Sequence, residues 1–438
     1  MTQSQYSSFM ISPGGAFKGR LRVPGDKSIS HRALMLGALA SGDTSIEGFL
    51  EGEDTRATMR AFQSMGVNIN RSDTGTIEIE GVGLDGLVRP QQALDLGNSG
   101  TSVRLLAGLM CGQAFSSTLV GDESLMSRPM RRIVEPLRQM GADIQCSNEG
   151  TLPLAVNGGQ FLKGIDYEMP VASAQLKSAI LLAGLYAEGE SAVREPAITR
   201  DHTERMLQYF GCSLSRRKSR VCLDSVKLEG RHISVPADIS SAAFFMVAAS
   251  ICEGSDLVLE AVGVNPTRHA IIEIMQMMGA NIELQNPREV SGEPIADIRI
   301  QSAPLKGIEI PSHLVPVAID EVPVLMIAAA CAGGETVIRD AAELRVKESD
   351  RIHAMCDGLR KVGVEVEEYE DGMMVRGGEI NGSEVESYGD HRIAMSFAVA
   401  GLVSSETMQV KNVANVNTSF PGFSDCFTKF GMKIETRN

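Results

Sequence analysis

The chain repeats itself six times, and an internal repeat of this length restricts the fold more than any compositional property. Polar openings precede apolar, helix-like runs at Ser28, Ser99, Ser173, Ser240, Asp320 and Gly389, separated by 71, 74, 67, 80 and 69 residues. A second set of markers agrees. Six helix-like stretches end in an apolar residue followed by glycine, at Gly66, Gly141, Gly211, Gly279, Gly363 and Gly431, with a mean spacing of 73 residues.

Each copy reads as βαβαββ. The first helix is apolar nearly all round, as in Ala242–Ile251, and is expected to be buried on every side. A short strand such as Glu335–Ile338 follows a glycine turn; an amphipathic outer helix then ends at its C-terminal glycine. A hairpin completes the copy, with Val67–Ile69 and Thr76–Ile79 as its first example. The sixth copy stops at Asn438 before its hairpin is finished, and the Ser8–Ile11 strand is expected to fill the gap. A Gly-Arg…Val-Pro echo links 19–24 with 230–236, which read as two adjacent strands crossing between halves. The expected fold class is α/β, six βαβαββ repeats in two three-repeat domains joined by a double-strand hinge. One domain comprises 25–237 and the other 1–24 plus 238–438, with a ligand cleft between them.

With 438 residues, 43% hydrophobic and 22% charged, the chain can build sizeable cores. A net charge of −14 argues against a nucleic-acid or anionic-membrane binder, though it leaves room for a local basic pocket. The longest uncharged apolar runs, such as Val322–Gly334, fall short of the ~18 residues of a bilayer helix. Residues 1–16 lack the pattern of a secretory signal. Eight scattered cysteines without metal-ligand spacing point to the reducing cytoplasm and to no structural zinc.

Helix N-termini suit anions, because they present unpaired N–H groups and about half a positive charge. Several openings here add hydroxyls, glycines and cations: Asp26-Lys27-Ser28…Arg32, Asn98-Ser99-Gly100-Thr101…Arg104 and Ser173-Ala174-Gln175…Lys177. Simple N-capping explains the serines, but basic residues early in a helix oppose its dipole, and so suggest an anion site. The second half carries Arg345-Val346-Lys347-Glu348-Ser349-Asp350-Arg351 and Asp390-His391-Arg392, which can equally be a solvated helix start. Guanidinium forks beside carboxylates also suit chemistry on a phosphorylated carboxylate. Arg128, before the second helix of repeat two, could join them. The Gly81–Gly86 match to G-x-G-x-x-G has no helix after it, and Pro24–Ser28 lacks the glycine spacing of a P-loop, so neither implies a nucleotide.

Gly25-Asp26-Lys27-Ser28-Ile29-Ser30-His31-Arg32, Leu96–Thr101, Arg345–Arg351 and Gly389–Arg392 resemble the 5-enolpyruvylshikimate-3-phosphate synthase family along the whole chain. The resemblance implies transfer of the enolpyruvyl group of phosphoenolpyruvate to shikimate 3-phosphate, in aromatic amino-acid biosynthesis, by a monomer without cofactor or metal. It places shikimate 3-phosphate mainly on the N-terminal half, and phosphoenolpyruvate mainly on the C-terminal one. By matching motif, Lys27, Ser28, Arg32, Ser173, Ala174, Gln175, Asp320 and Lys347 would hold shikimate 3-phosphate. Lys27, Gly100, Arg128, Gln175, Arg351 and Arg392 would hold phosphoenolpyruvate. Asp320, Glu348 and Lys27 would handle protons, with Asp320 as base on the attacking hydroxyl.

Two departures matter. One branch of the family has a second serine where this chain has Ala174, and a C-terminal lysine where this chain reads Thr418-Ser419-Phe420-Pro421. The chain resembles the other branch, in which Arg200 of Thr199-Arg200-Asp201-His202 would take over a phosphate contact. That branch includes glyphosate-tolerant members, with alanine at the position of Gly100; the glycine here implies that glyphosate competes for the phosphoenolpyruvate site. Alternatives are the sister enzyme acting on UDP-N-acetylglucosamine, a non-catalytic anion binder and an RNA-terminal phosphate enzyme. The first usually has a loop cysteine that Gly121–Arg128 lacks, and 5% aromatics without tryptophan is poor provision for stacking on bases.

Overall fold

In the computed structural model, which describes residues 7–437, six apolar helices span Lys27–Leu39, Gly100–Cys111, Ala174–Gly184, Ile239–Ile251, Val322–Ala330 and His391–Ala400. They are buried along almost their whole length, as helices without a polar face must be. Five have a side-chain N-cap. Asp26, Asp238 and Asp390 accept from the amides of Ile29, Ser240 and Arg392, each at 2.9 Å, while Ser99 and Ser173 cap the second and third helices. In three copies the cap is thus an aspartate one or two residues from the expected opening. Its carboxylate is a strong acceptor for orphan helix amides.

The outer helices Glu53–Ser64, Arg131–Gln139, His202–Phe210, Ala270–Met277, Arg351–Lys361 and Phe423–Thr428 lead into the six marker glycines. All six glycines have φ between 79° and 113°. A left-handed residue past the last turn reverses the chain into the hairpin, and glycine reaches it without steric cost. That conformation accounts for the second periodicity.

Each repeat forms its own sheet. In repeat three, Asp166–Glu168 pairs in parallel with Ser191–Arg194, which pairs antiparallel with Arg220–Ser225, followed by Ser213–Arg217. The sixth sheet follows the same plan only because Ser8–Ser12 lies between Met408–Lys411 and Lys433–Arg437, antiparallel to both. The N-terminal strand therefore completes the last repeat, as expected.

The crossing segments are adjacent as expected, Asp238 N donating to Pro24 O at 2.9 Å, but their strands join different sheets. Lys18–Leu21 forms the edge of the repeat-four sheet, parallel to Asp256–Gly263, and His232–Ser234 forms the edge of the repeat-one sheet, parallel to Ser41–Glu47. The two are equivalent strands in exchanged places, which explains their shared sequence. Each lies just before a proline, Pro24 or Pro236, that cannot donate to a ladder.

The chain divides into two compact units, 25–235 with 289–293, and 1–24 with 236–288 and 294–438. The short excursion is the tip of the hairpin Asn281–Val290/Glu293–Gln301, which is longer than the other hairpins and accounts for the 80-residue spacing. Within the first unit, Ser234 N donates to Ser291 Oγ at 2.9 Å, and His202 Nδ1 lies 2.7 Å from Glu293 Oε1. Each unit has its own apolar core. In the second, Phe245 stacks on Phe427 at 4.5 Å between centroids and Phe9 on Phe423 at 5.9 Å, tying the N-terminal strand to the C-terminal helix. Among the described residues all eight cysteines are free thiols, and no helix is long and apolar enough to cross a membrane.

Candidate active site

In the unit built on 25–235, the openings of the three buried helices carry the polar side chains singled out above. Lys27 Nζ lies 3.1 Å from Asp54 Oδ2, a partner on the neighbouring outer helix. One turn on, Arg32 is buried. Its Nε donates to Thr203 Oγ1 at 2.7 Å, Nη1 to Ser28 O at 2.9 Å and Nη2 to Ser178 Oγ at 3.0 Å. Burial pushes the Arg32 guanidinium down to about 10, helped by the nearby positive charge of Arg200 and opposed by Glu204 and Asp26. Burial, then the charges of Lys27 and Arg32, hold His31 well below its ordinary range, so it is a neutral ring bonded to Thr58.

The second and third openings meet through Gln175. Arg104 Nη1 donates to Gln175 Oε1 at 2.5 Å, and Gln175 Nε2 donates to Thr101 Oγ1 at 3.2 Å. Arg128 Nη2 donates to Asn98 Oδ1 at 2.5 Å. A Cβ on Gly100 would sit 3.1 Å from Arg128 Nη1 and 3.3 Å from Arg104 Nη1, so the two guanidiniums crowd this helix start. Ser173 caps its helix with Ala174 as the first helical residue. Further in, Lys177 is wholly buried between Glu195 at 2.9 Å and Glu204 at 2.6 Å. Lys177 thus serves as a buried ion-pair partner.

In the other unit, Arg351 gathers the acidic residues. Its side chain is 1% exposed, with Nε 2.8 Å from Asp390 Oδ2, Nη1 3.4 Å from Asp320 Oδ1 and Nη2 2.5 Å from Glu348 Oε2. Burial alone would lower the guanidinium; the three carboxylates outweigh it and raise it. Asp390 is pushed up by burial but pulled down further by Arg351, and ends below the usual carboxylate range. Lys347 Nζ lies 3.7 Å from Asp320 Oδ1, and Arg392 Nη1 donates to Asp320 O at 2.9 Å. Arg345–Arg351 is therefore no solvated charge run. Its last arginine is a buried hub.

The candidates separate cleanly. Lys27, Ser28, Arg32, Gly100, Arg128, Ser173, Ala174, Gln175 and Arg200 lie in one unit, and Asp320, Lys347, Glu348, Arg351 and Arg392 in the other. Sequence reasoning missed Asp54, Ser178, Thr203, Glu204 and Glu321, the last 3.8 Å from Arg392. The chemistry on offer is clear. One unit presents cations at helix N-termini, and the other presents two partly exposed carboxylates, Asp320 and Glu348, held by a single guanidinium. Among the described residues no cluster of ligating side chains could hold a metal ion.

Comparison with known proteins agrees with this chemistry. Residues 11–427 match the family model for EPSP synthase (3-phosphoshikimate 1-carboxyvinyltransferase). A 3-phosphoshikimate 1-carboxyvinyltransferase of Alkalilimnicola ehrlichii is 60% identical, over 97% of this chain and 96% of its own. One of Methylococcus capsulatus is 59% identical over 98% of both. A solved EPSP synthase structure from Acinetobacter baumannii has a TM-score of 0.90 and 53% identity, over 99% of this chain and 100% of that one. The chain belongs to the EPSP synthase family.

Proposed function

We propose that the protein transfers the enolpyruvyl group of phosphoenolpyruvate to the 5-hydroxyl of shikimate 3-phosphate, releasing phosphate. The observation that carries the reading is the pairing of Asp320 and Glu348 on Arg351, beside Lys347 and Arg392, in a chain of this family. Two anionic substrates need cations that offset their repulsion, and an addition–elimination needs groups that take up and return protons.

In the addition, the substrate hydroxyl oxygen bonds to C2 of phosphoenolpyruvate while the π pair takes a proton at C3. Asp320 accepts the hydroxyl proton; Glu348 and Lys27 are the donors available to C3. In the elimination, C3 loses a proton, the double bond re-forms and the C2–O bond to phosphate breaks. Lys27, Ser28, Arg32, Ser173, Gln175, Arg200 and Lys347 hold shikimate 3-phosphate, with Ala174 at the helix start beside it. Gly100, Arg128, Gln175, Arg351 and Arg392 attend phosphoenolpyruvate. Arg351 spends four of its five N–H groups on its carboxylates and keeps one on Nη1 for the substrate anion. The reading includes a monomer in the cytoplasm, in keeping with the free thiols.

Phosphate release by the purified protein tests the reading. Release with phosphoenolpyruvate and shikimate 3-phosphate, but not with phosphoenolpyruvate and UDP-N-acetylglucosamine, is expected. Release with only the sugar nucleotide would transfer the protein to the sister reaction; release with neither would leave an anion-binding relative.

A further inference from the structure

Arg32 reaches its place through two hydroxyls on other elements, Ser178 on the first helix of repeat three and Thr203 on the second. The hydroxyl protons can be traced. Ser178 Oγ donates to Ala174 O at 2.7 Å, which uses its single proton. The 2.7 Å bond between Ser178 Oγ and Thr203 Oγ1 must then be donated by Thr203. Both oxygens are left with lone pairs for the guanidinium, so the chain Thr203→Ser178→Ala174 O has one polarity.

Guanidinium carries five N–H donors in a rigid plane. Nε spends its proton on Thr203, Nη1 one on Ser28 O and Nη2 one on Ser178. One N–H remains on each terminal nitrogen, and two parallel donors of this kind match the spacing of an oxyanion. We propose that Ser178 and Thr203 are positioning residues that lock Arg32 as a two-pronged donor for an oxyanion of shikimate 3-phosphate. The proposal rests on the reading of Arg32 as a ligand of that substrate. The burial of Arg32 fits it, because a desolvated cation gains most from an arriving anion. The identity of Ala174 does not disturb the device, which uses only its carbonyl.

Steady-state kinetics of Thr203→Val, Thr203→Ser, Ser178→Ala and Arg32→Lys test it. Valine keeps the shape of threonine and loses the acceptor. Thr203→Val is expected to raise KM for shikimate 3-phosphate about tenfold, the loss of one hydrogen bond to a charged group. KM for phosphoenolpyruvate should stay within about twofold, and Thr203→Ser should restore the wild-type value. Ser178→Ala should behave like Thr203→Val, and serves in its place if that variant does not fold. The same comparison with unphosphorylated shikimate assigns the oxyanion: a penalty that persists puts the prongs on the ring carboxylate, and one that vanishes puts them on the phosphate. The proposal is overturned if Arg32→Lys raises KM for shikimate 3-phosphate while Thr203→Val and Ser178→Ala do not. If Arg32→Lys leaves that KM unchanged, the assignment of Arg32 as a ligand falls instead. A loss spread equally over both substrates, unrescued by serine, would reduce the hydroxyls to a structural role.

Discussion

Arg351 and Asp390 form a buried ion pair, Nε to Oδ2 at 2.8 Å, in which the same carboxylate caps the helix His391–Ala400 by accepting from the Arg392 amide. One aspartate thus sets the position of two arginines. Asp390→Asn removes one of the three carboxylates around the buried Arg351 and leaves Glu348 and Asp320 to compensate the charge, so it is expected to cost about 1–3 kcal/mol, measured by urea unfolding. The sign with pH follows. The folded Asp390 lies below its ordinary value, so its contribution is present above the unfolded pKa, near 3.8, and is lost as pH falls through the folded one. Wild type should therefore lose more stability than Asp390→Asn on acidification below about pH 4.

Glu348 is 2.5 Å from Arg351 and only part-buried, as a proton-transfer group should be. Glu348→Gln keeps the hydrogen-bonding shape and removes a group that can give a proton to C3 and take one back. It is expected to lower kcat by about 10²–10⁴-fold. Calorimetric binding of shikimate 3-phosphate should be little changed. Binding weakened as much as turnover would assign Glu348 to substrate affinity.

Gly100→Ala places a methyl group 3.1 Å from Arg128 Nη1 and 3.3 Å from Arg104 Nη1. Both are the far ends of flexible side chains, so they shift by a few tenths of an ångström and the fold survives. KM for phosphoenolpyruvate should rise, and inhibition by glyphosate, expected to be competitive in the wild type, should weaken further still. Inhibition curves of the two proteins against phosphoenolpyruvate give the answer; wild-type turnover unaffected by millimolar glyphosate would remove the premise.

Ile11 is fully buried in the N-terminal strand, opposite Met408 on one side and Ile434 on the other. Ile11→Ala should cost about 2–5 kcal/mol. Amide hydrogen exchange should quicken in Met408–Lys411 and Lys433–Arg437, with no change in the sheets of the other unit.

The repeat was legible because its markers are local. A glycine after the last helical turn and a carboxylate or hydroxyl at the first depend on neighbours within four residues, and both left their period in the chain. Counting strands then assigned Ser8–Ile11 to the sixth sheet. Strand exchange at the two crossings was not legible, since a β-ladder partner is chosen by packing over more than 180 residues of separation. The 80-residue spacing held the trace of the long hairpin, but not the destination of its tip. The site divides in the same way. Motif order carried the charged residues and the family resemblance. Tertiary structure alone decided that Arg351 is a buried hub among three carboxylates and that Arg32, 171 residues from Thr203, rests on its hydroxyl. Burial and hydrogen-bond partnership belong to whichever surfaces meet, and a chain read residue by residue does not contain them.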